Sequence, residues 1–491
     1  VNRTTLSLFA GTAALAAVTA FAAVDSPSAS GAAPGAAARQ PVERTSLVCP
    51  APSTSDLAET TYTSFTPVTK GAASGGGARL QAAGEKDAKG GKDKKAGQPV
   101  LTPKAPGTPA TGDTSGGDTP ALVGTADGSF APGWTVQETT EVAAGTGRGL
   151  LGVNCTGADT DFWFPGASTA AGRTDYVHLT NPDDSAAVVD IELYGKDGAI
   201  KAPLGENLTV EPGASEAFLL PTLTEERQTG LTVHVSVRGG RVGAAVQALD
   251  DKAGGDWLAP AADPAGSLVL PGIPKDATEV RLTAFAPGDD DADLKIRLAS
   301  PDGLITPAGN ETVHVKSGMT TTVDLGDVTR GEPGSLVLTP TDQAVPVVAA
   351  LQVVRGKGDK RETAFIPATA AVGARATSAG NSAKGTTLAL SAPEGAATVK
   401  VTASAGSEGG NPATKTYTIK SGTTQDVDAP VPTGLKGTYA LTVEPVSGGP
   451  VYASRTLTAA DTPAFTVQTL PSDHGLVSVP RTQEDLSILQ K

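Results

Sequence analysis

The chain has 491 residues and a formal net charge of −14, with 4% aromatic residues and two cysteines. That acidic balance excludes nucleic-acid binding as a main activity, because phosphates are held by Lys and Arg. The length predicts about three to five domains, and short Val/Thr alternations broken by Gly and Pro favour β-structure over helix.

Arg3 is the only charge before Asp25, residues 6–24 are apolar or small, and Ala20-Phe21-Ala22 is an A-x-A cleavage pattern. Residues 1–22 therefore read as a secretory signal peptide, with an uncleaved anchor as the alternative. No later stretch is long and apolar enough to span a membrane, so no span is expected in the mature chain. Residues 23–41, mostly Ala, Ser, Gly and Pro, read as a flexible spacer. A first β unit is expected over 42–166. Within it, 71–118 is rich in Gly, Lys, Thr and Pro and poor in apolar residues, which predicts a disordered insert. Its small positive charge also suggests a tether to anionic wall polymer, and its Thr/Pro content a glycosylated stalk.

Beyond the insert one stretch recurs with a period of 104 or 105 residues. It reads Val210-Glu-Pro-Gly213, then Val315-Lys-Ser-Gly318, then Ile419-Lys-Ser-Gly422. Each copy predicts two strands joined by a sharp reversal in which Gly supplies a positive φ. Gly230, Gly334 and Gly437 keep the same period and open alternating strands. In the first of these, Leu231, Val233, Val235 and Val237 are expected to face the core and Thr232, His234 and Ser236 to face out. A period near 100 residues marks a domain. The predicted fold is all-β, in tandem antiparallel β-sandwich units of immunoglobulin or fibronectin-III type, with a closed barrel per unit as the alternative. The later units are expected over 167–260, 261–370 and 371–478, with a tail over 479–491. Asp161-Phe-Trp-Phe-Pro165 is expected to close the first unit, as Asp256-Trp-Leu-Ala-Pro260 and Thr363-Ala-Phe-Ile-Pro367 close the next two.

Residues able to carry chemistry are few. His178, His234 and His314 lie in predicted strands with no metal-ligand spacing and are expected on the surface; His474 lies near the C-terminus. There is no Gly-x-Ser-x-Gly elbow and no phosphate-binding strand–Gly–helix context. Asp289-Asp290-Asp291 with Asp293 would suit Ca²⁺, but Pro182-Asp183-Asp184-Ser185 occupies the same place one unit earlier, which favours solvated turns. Trp163, Trp257 and Phe365, placed at matching positions, read as core or junction residues, with sugar stacking as the alternative. Asn207 and Asn310 match the glycosylation pattern. No catalytic, cofactor-binding or metal residues are expected. Cys49 and Cys155, the two cysteines of an exported chain, are expected to form one disulfide.

Leu47-Val-Cys-Pro50, the low-complexity break, Gly152-Val-Asn-Cys155, Asp161-Phe-Trp-Phe-Pro-Gly166, Leu179-Thr-Asn-Pro182 and Asp256-Trp-Leu-Ala-Pro260 together resemble the secreted actinobacterial domain-of-unknown-function family 5719. The resemblance implies a cell-envelope setting; the family has no established activity, so it carries no catalytic residues over to this chain. The expectation is a secreted or cell-surface, non-catalytic, envelope-associated structural or interaction protein. The sequence names no partner; an envelope polysaccharide and an envelope protein are the expected candidates. Alternatives are a polysaccharide-binding sandwich array and an accessory factor of an envelope glycosylation system.

Overall fold

Alternation in the sequence becomes strand almost everywhere. The structure, a computed structural model, describes residues 38–84, 98–460 and 462–479. The expected signal peptide, most of the spacer and the last twelve residues of the tail lie outside the described residues. Among the described residues, helix is limited to Leu220–Leu223 and three single 3-10 turns.

Four antiparallel sandwiches follow one another along the chain, each with its own apolar core. All four lie in one compact body, Pro41–Val477. Each sandwich has an opening strand that pairs with a late strand of one sheet, and a closing strand at the edge of the other sheet. In the third, Leu268–Ile273 opens beside Gly334–Pro340 and Glu362–Pro367 closes beside Val348–Arg355. In the fourth, Ala376–Asn381 opens beside Tyr439–Gly448 and Phe465–Thr469 closes beside Tyr452–Thr458. The repeat glycines behave as expected, with φ of 72° at Gly213, 66° at Gly318 and 73° at Gly422.

The expected boundary at 166/167 is corrected by strand pairing. Asp161–Ser168 pairs with Thr229–Gly239, so it opens the second sandwich. The first sandwich closes earlier, with Gly149–Asn154 paired to Thr135–Val142. Trp163 therefore sits in an opening strand, whereas Trp257 and Phe365 sit in closing strands, and the expected equivalence fails. The signal overlooked is Phe-Pro-Gly166, Leu-Pro-Gly272 and Ser-Ala-Gly380, 106 and 108 residues apart. These glycines take φ of 111°, 82° and 72°.

The expected insert is also trimmed. Ala78–Ala82 and Ala110–Ser115 are strands inside 71–118. Leu80 and Leu101, at 0% and 4% exposed, belong to the first core with Trp134. Two well-placed leucines anchor backbone that average composition assigns to disorder. Residues 85–97 lie outside the described residues. Ala38–Pro41, expected as spacer, forms a two-stranded sheet with Leu476–Val479.

The closing strands weld the sandwiches into a ring. Each delivers an apolar side chain to a neighbour. Trp257 packs with Leu151 and Val153 of the first sandwich, Phe365 joins the core of the second, and Phe465 joins the core of the third. Leu150 of the first packs with Leu457 and Ala464 of the fourth, which completes the circuit. Burying a Phe or Trp contributes roughly 1.5–3 kcal/mol. Thr232, expected outside, is buried for the same reason: the Thr320 hydroxyl of the third sandwich lies 3.0 Å from its oxygen.

Candidate functional site

At the ring's centre all four closing strands meet around one carboxylate. Asp256 is fully buried. Its Oδ1 accepts from the Gly152 N–H of the first sandwich at 3.0 Å, and its Oδ2 from the Thr466 hydroxyl of the fourth at 3.0 Å. Backbone N–H groups of Trp257 and of Phe365, from the third, also bond to it. Burial pushes its pKa well above the usual carboxylate range, against the lowering effect of those four bonds. A Cβ on Gly152 would lie 2.5 Å from Thr466 Cγ2, so only glycine admits this approach. Arg148 of the first sandwich reaches the Lys252 carbonyl of the second (3.0 Å) and the Arg361 carbonyl of the third (3.1 Å). The node lies sealed inside the body, and its arrangement joins units.

The aromatics are buried as well. Trp163 is 8% exposed, Trp257 2% and Phe365 1%. Trp163 stacks on His234, centroids 3.7 Å apart, and meets Phe285 of the third sandwich at 5.4 Å. None of these rings presents a face to a sugar. Trp134, which the sequence left without a role, fills the first core and donates from Nε1 to Ser64 Oγ at 2.8 Å.

The expectation of surface histidines fails for His178 alone, while His234 is half-buried. His178 is buried with neither ring nitrogen partnered, and burial lowers its pKa to about 4. His234 is clamped between Glu192 (Nδ1, 2.7 Å) and Asp161 (Nε2, 2.9 Å). His314 is exposed and bonds Asp293 at 2.9 Å, with Asp291 at 3.5 Å. Asp291 Oδ1 also accepts from the Ser317 N–H at 2.9 Å. The aspartate loop is thus tied to neighbouring strands. Asn207 donates its N–H to Asp190 Oδ1 (2.7 Å), and Asn310 lies in a turn closed on the Pro307 carbonyl. His474 is exposed.

Cys49 and Cys155 are bonded, with Cα atoms 4.4 Å apart. Glu138 lies against them in the first core, its carboxyl and both sulfurs within 4.8 Å of one another. Neither carboxyl oxygen has a partner, and burial raises its pKa well above the ordinary value. Nothing in the sequence flags this residue.

One open surface differs in character. The outward face of the small sheet in the first sandwich, formed by Arg44–Cys49, Leu122–Asp127 and Ala78–Ala82, floors a groove of about 720 Å³. Across it the register sets Ser46, Thr125 and Arg79 in one row and Arg44 beside Asp127 in the next. Arg241, from a turn of the second sandwich, overhangs it and is held by Asp183 through bonds of 2.8 and 2.9 Å. Asp127 accepts from the Gly77 N–H at 2.8 Å. Among the described residues, Arg44 and Arg79 form no ion pair and no side-chain hydrogen bond.

A ring of tandem β-sandwiches with a sealed polar centre and an arginine-bearing groove on its first sandwich is the class of protein this geometry defines. The family model described as Family of unknown function (DUF5719) matches residues 110–430, more than half of the chain, and the chain belongs to that family. No curated protein and no solved structure matches it. No helix among the described residues is long and apolar enough to cross a membrane.

Proposed function

We propose that this is an exported, envelope-associated interaction protein that works without catalysis, as one rigid body. The observation that carries the reading is the Asp256 node: one buried carboxylate bonded to all four sandwiches makes the array a single unit, where beads on a flexible string would leave each sandwich independent. A rigid ring holds surface features at fixed separations, which suits binding and spacing. The alternative of a sugar-stacking array has no exposed tryptophan to support it, since all three are buried.

Two experiments test this. Fractionation of the producing cell should recover the protein from the medium or the cell surface; recovery from the cytoplasm would overturn the export part. Among the described residues, a histidine meets a pair of carboxylates at two places, His234 with Asp161 and Glu192, and His314 with Asp291 and Asp293. The pair His234→Gln and His314→Gln should leave the cellular phenotype intact. Its loss, with melting temperature and secretion unchanged, would point to a reaction at one of them.

A further inference from the structure

We propose that the groove on the first sandwich, bordered by Arg44, Arg79 and Arg241, binds an acidic polysaccharide, taking carboxylates of the polymer on its guanidinium groups. This rests on the non-catalytic reading above and names the partner class.

The argument begins with charge. The chain carries −14 in all, so its general field repels polyanions. Within this groove the balance reverses modestly: three arginines stand against Asp127 and against Asp183, which pairs with Arg241, so one net positive charge remains. Several arginines elsewhere have carboxylate partners, Arg173 with Asp175, Arg355 with Asp276, Arg361 with Glu279 and Arg375 with Asp473, while, among the described residues, Arg281 and Arg297 stand singly on other strands and line no such groove. Arg44 and Arg79 have no carboxylate partner among the described residues. A guanidinium presents a planar fork that matches a carboxylate two bonds at a time. Arg241 is already held in place by Asp183, so it meets a ligand with its side chain oriented.

The hydroxyls decide the class. Ser46, Thr102 and Thr125 line the same groove between the arginines. A ligand with alternating carboxylate and hydroxyl groups fits that lining, as a chain of uronate residues does. The groove has no aromatic ring and no deep apolar pocket, so neither sugar stacking nor an acyl chain finds a site there. Its volume falls within the usual range for a ligand site, enough for a short stretch of polymer. Contacts of this type are salt-sensitive because both partners are solvated and charged.

The test uses the full mature chain and oligogalacturonates of defined length, with neutral dextran oligomers of similar length as control, measured by calorimetry at two salt concentrations. Galacturonate binding that weakens at higher salt, absence of dextran binding, and at least tenfold weaker binding by the Arg44→Ser/Arg79→Ser double variant are expected. Equal binding by the variant overturns the groove assignment, as does binding of poly-glutamate or phosphatidylglycerol vesicles in place of galacturonate. Chromatography of the oligomers after incubation separates the two readings. Unchanged lengths without binding sink the groove and leave the non-catalytic reading standing. Shortened oligomers sink the non-catalytic reading and leave the groove as a substrate site.

Discussion

The centre of the ring and the outward face of the first sandwich treat polar side chains in opposite ways. At the centre, Asp256 is buried and bonded to groups from every sandwich. On the outward sheet, Arg44 and Arg79 stand exposed, with no partner among the described residues. A buried carboxylate is tolerated only when its bonds replace water, so its surroundings are fixed by the fold. Exposed guanidiniums need nothing from the fold. The centre accounts for how four sandwiches become one body, and the rim is where contact with another molecule remains available.

The sharpest way to break this contrast is at Asp256. Asp256→Leu leaves donors on Gly152, Trp257, Phe365 and Thr466 without their acceptor. Each orphaned donor costs about 1–3 kcal/mol, so a loss on the order of 4–8 kcal/mol is expected in urea unfolding. Splitting of one transition into several would show the sandwiches uncoupling. A loss under about 1.5 kcal/mol would mean that the node does not hold the ring. Phe365→Ala comes next, at about 3–5 kcal/mol. Phe365 is 1% exposed and packs into the core of the second sandwich, with the Arg173 guanidinium 5.8 Å from its ring centre. Unaltered unfolding of this variant would remove the strand exchange as a source of coupling.

Much of the repeat was legible because turns need particular residues. Gly213, Gly318 and Gly422 announce left-handed backbone, and Leu231, Val233 and Val235 announce a core-facing edge. The disulfide was expected from two cysteines in a chain whose sequence reads as exported. What stayed hidden depends on neighbours. Trp163 and Trp257 both follow a short acidic-aromatic pattern, yet only pairing partners reveal that one opens a sandwich and the other closes one. Asp256 reads as the first residue of a closing element until three other sandwiches are placed around it. The arginine groove combines residues from positions 44, 79 and 241, which no local pattern joins.

Glu138 offers a subtler test of what burial does. Its folded pKa is raised, so the native state holds a proton that the unfolded chain releases above about pH 4.3. Stability from this group is therefore fully present below that value and is lost as pH climbs toward the raised native pKa. Asp256 shifts in the same direction, and Asp175 and Asp426 are pushed up to about 6. Glu138→Met, close in volume, removes one titrating group and two unpartnered oxygens. At pH 7 it should stabilise the protein by about 1–3 kcal/mol and reduce the fall in stability between pH 4 and 7. The remaining slope combines the falls from the three aspartates and Glu362, whose pKa burial also raises, with an opposing rise from buried His178, which the unfolded chain protonates more readily. A destabilised variant with the wild-type slope would mean that the carboxyl has a partner in solution.

The smallest expected effect lies at the rim, and it separates a site from a structural feature. Arg44→Ser with Arg79→Ser takes the net charge from −14 to −16. Both positions are exposed and have no ion pair among the described residues, and surface changes of this kind usually stay within about 0.5 kcal/mol. Two terms of opposite sign remain. Added negative charge increases self-repulsion, whereas a shorter side chain gives up the aliphatic stem that an arginine lays on its neighbours. Both are small at physiological salt, where the screening length is about 8 Å. Thermal unfolding of the double variant should therefore overlay the wild type at 0.15 M salt. A loss above about 1.5 kcal/mol would assign these arginines to the stability of the first sandwich. An overlay, together with the binding loss expected of the same variant, would assign them to contact with a partner.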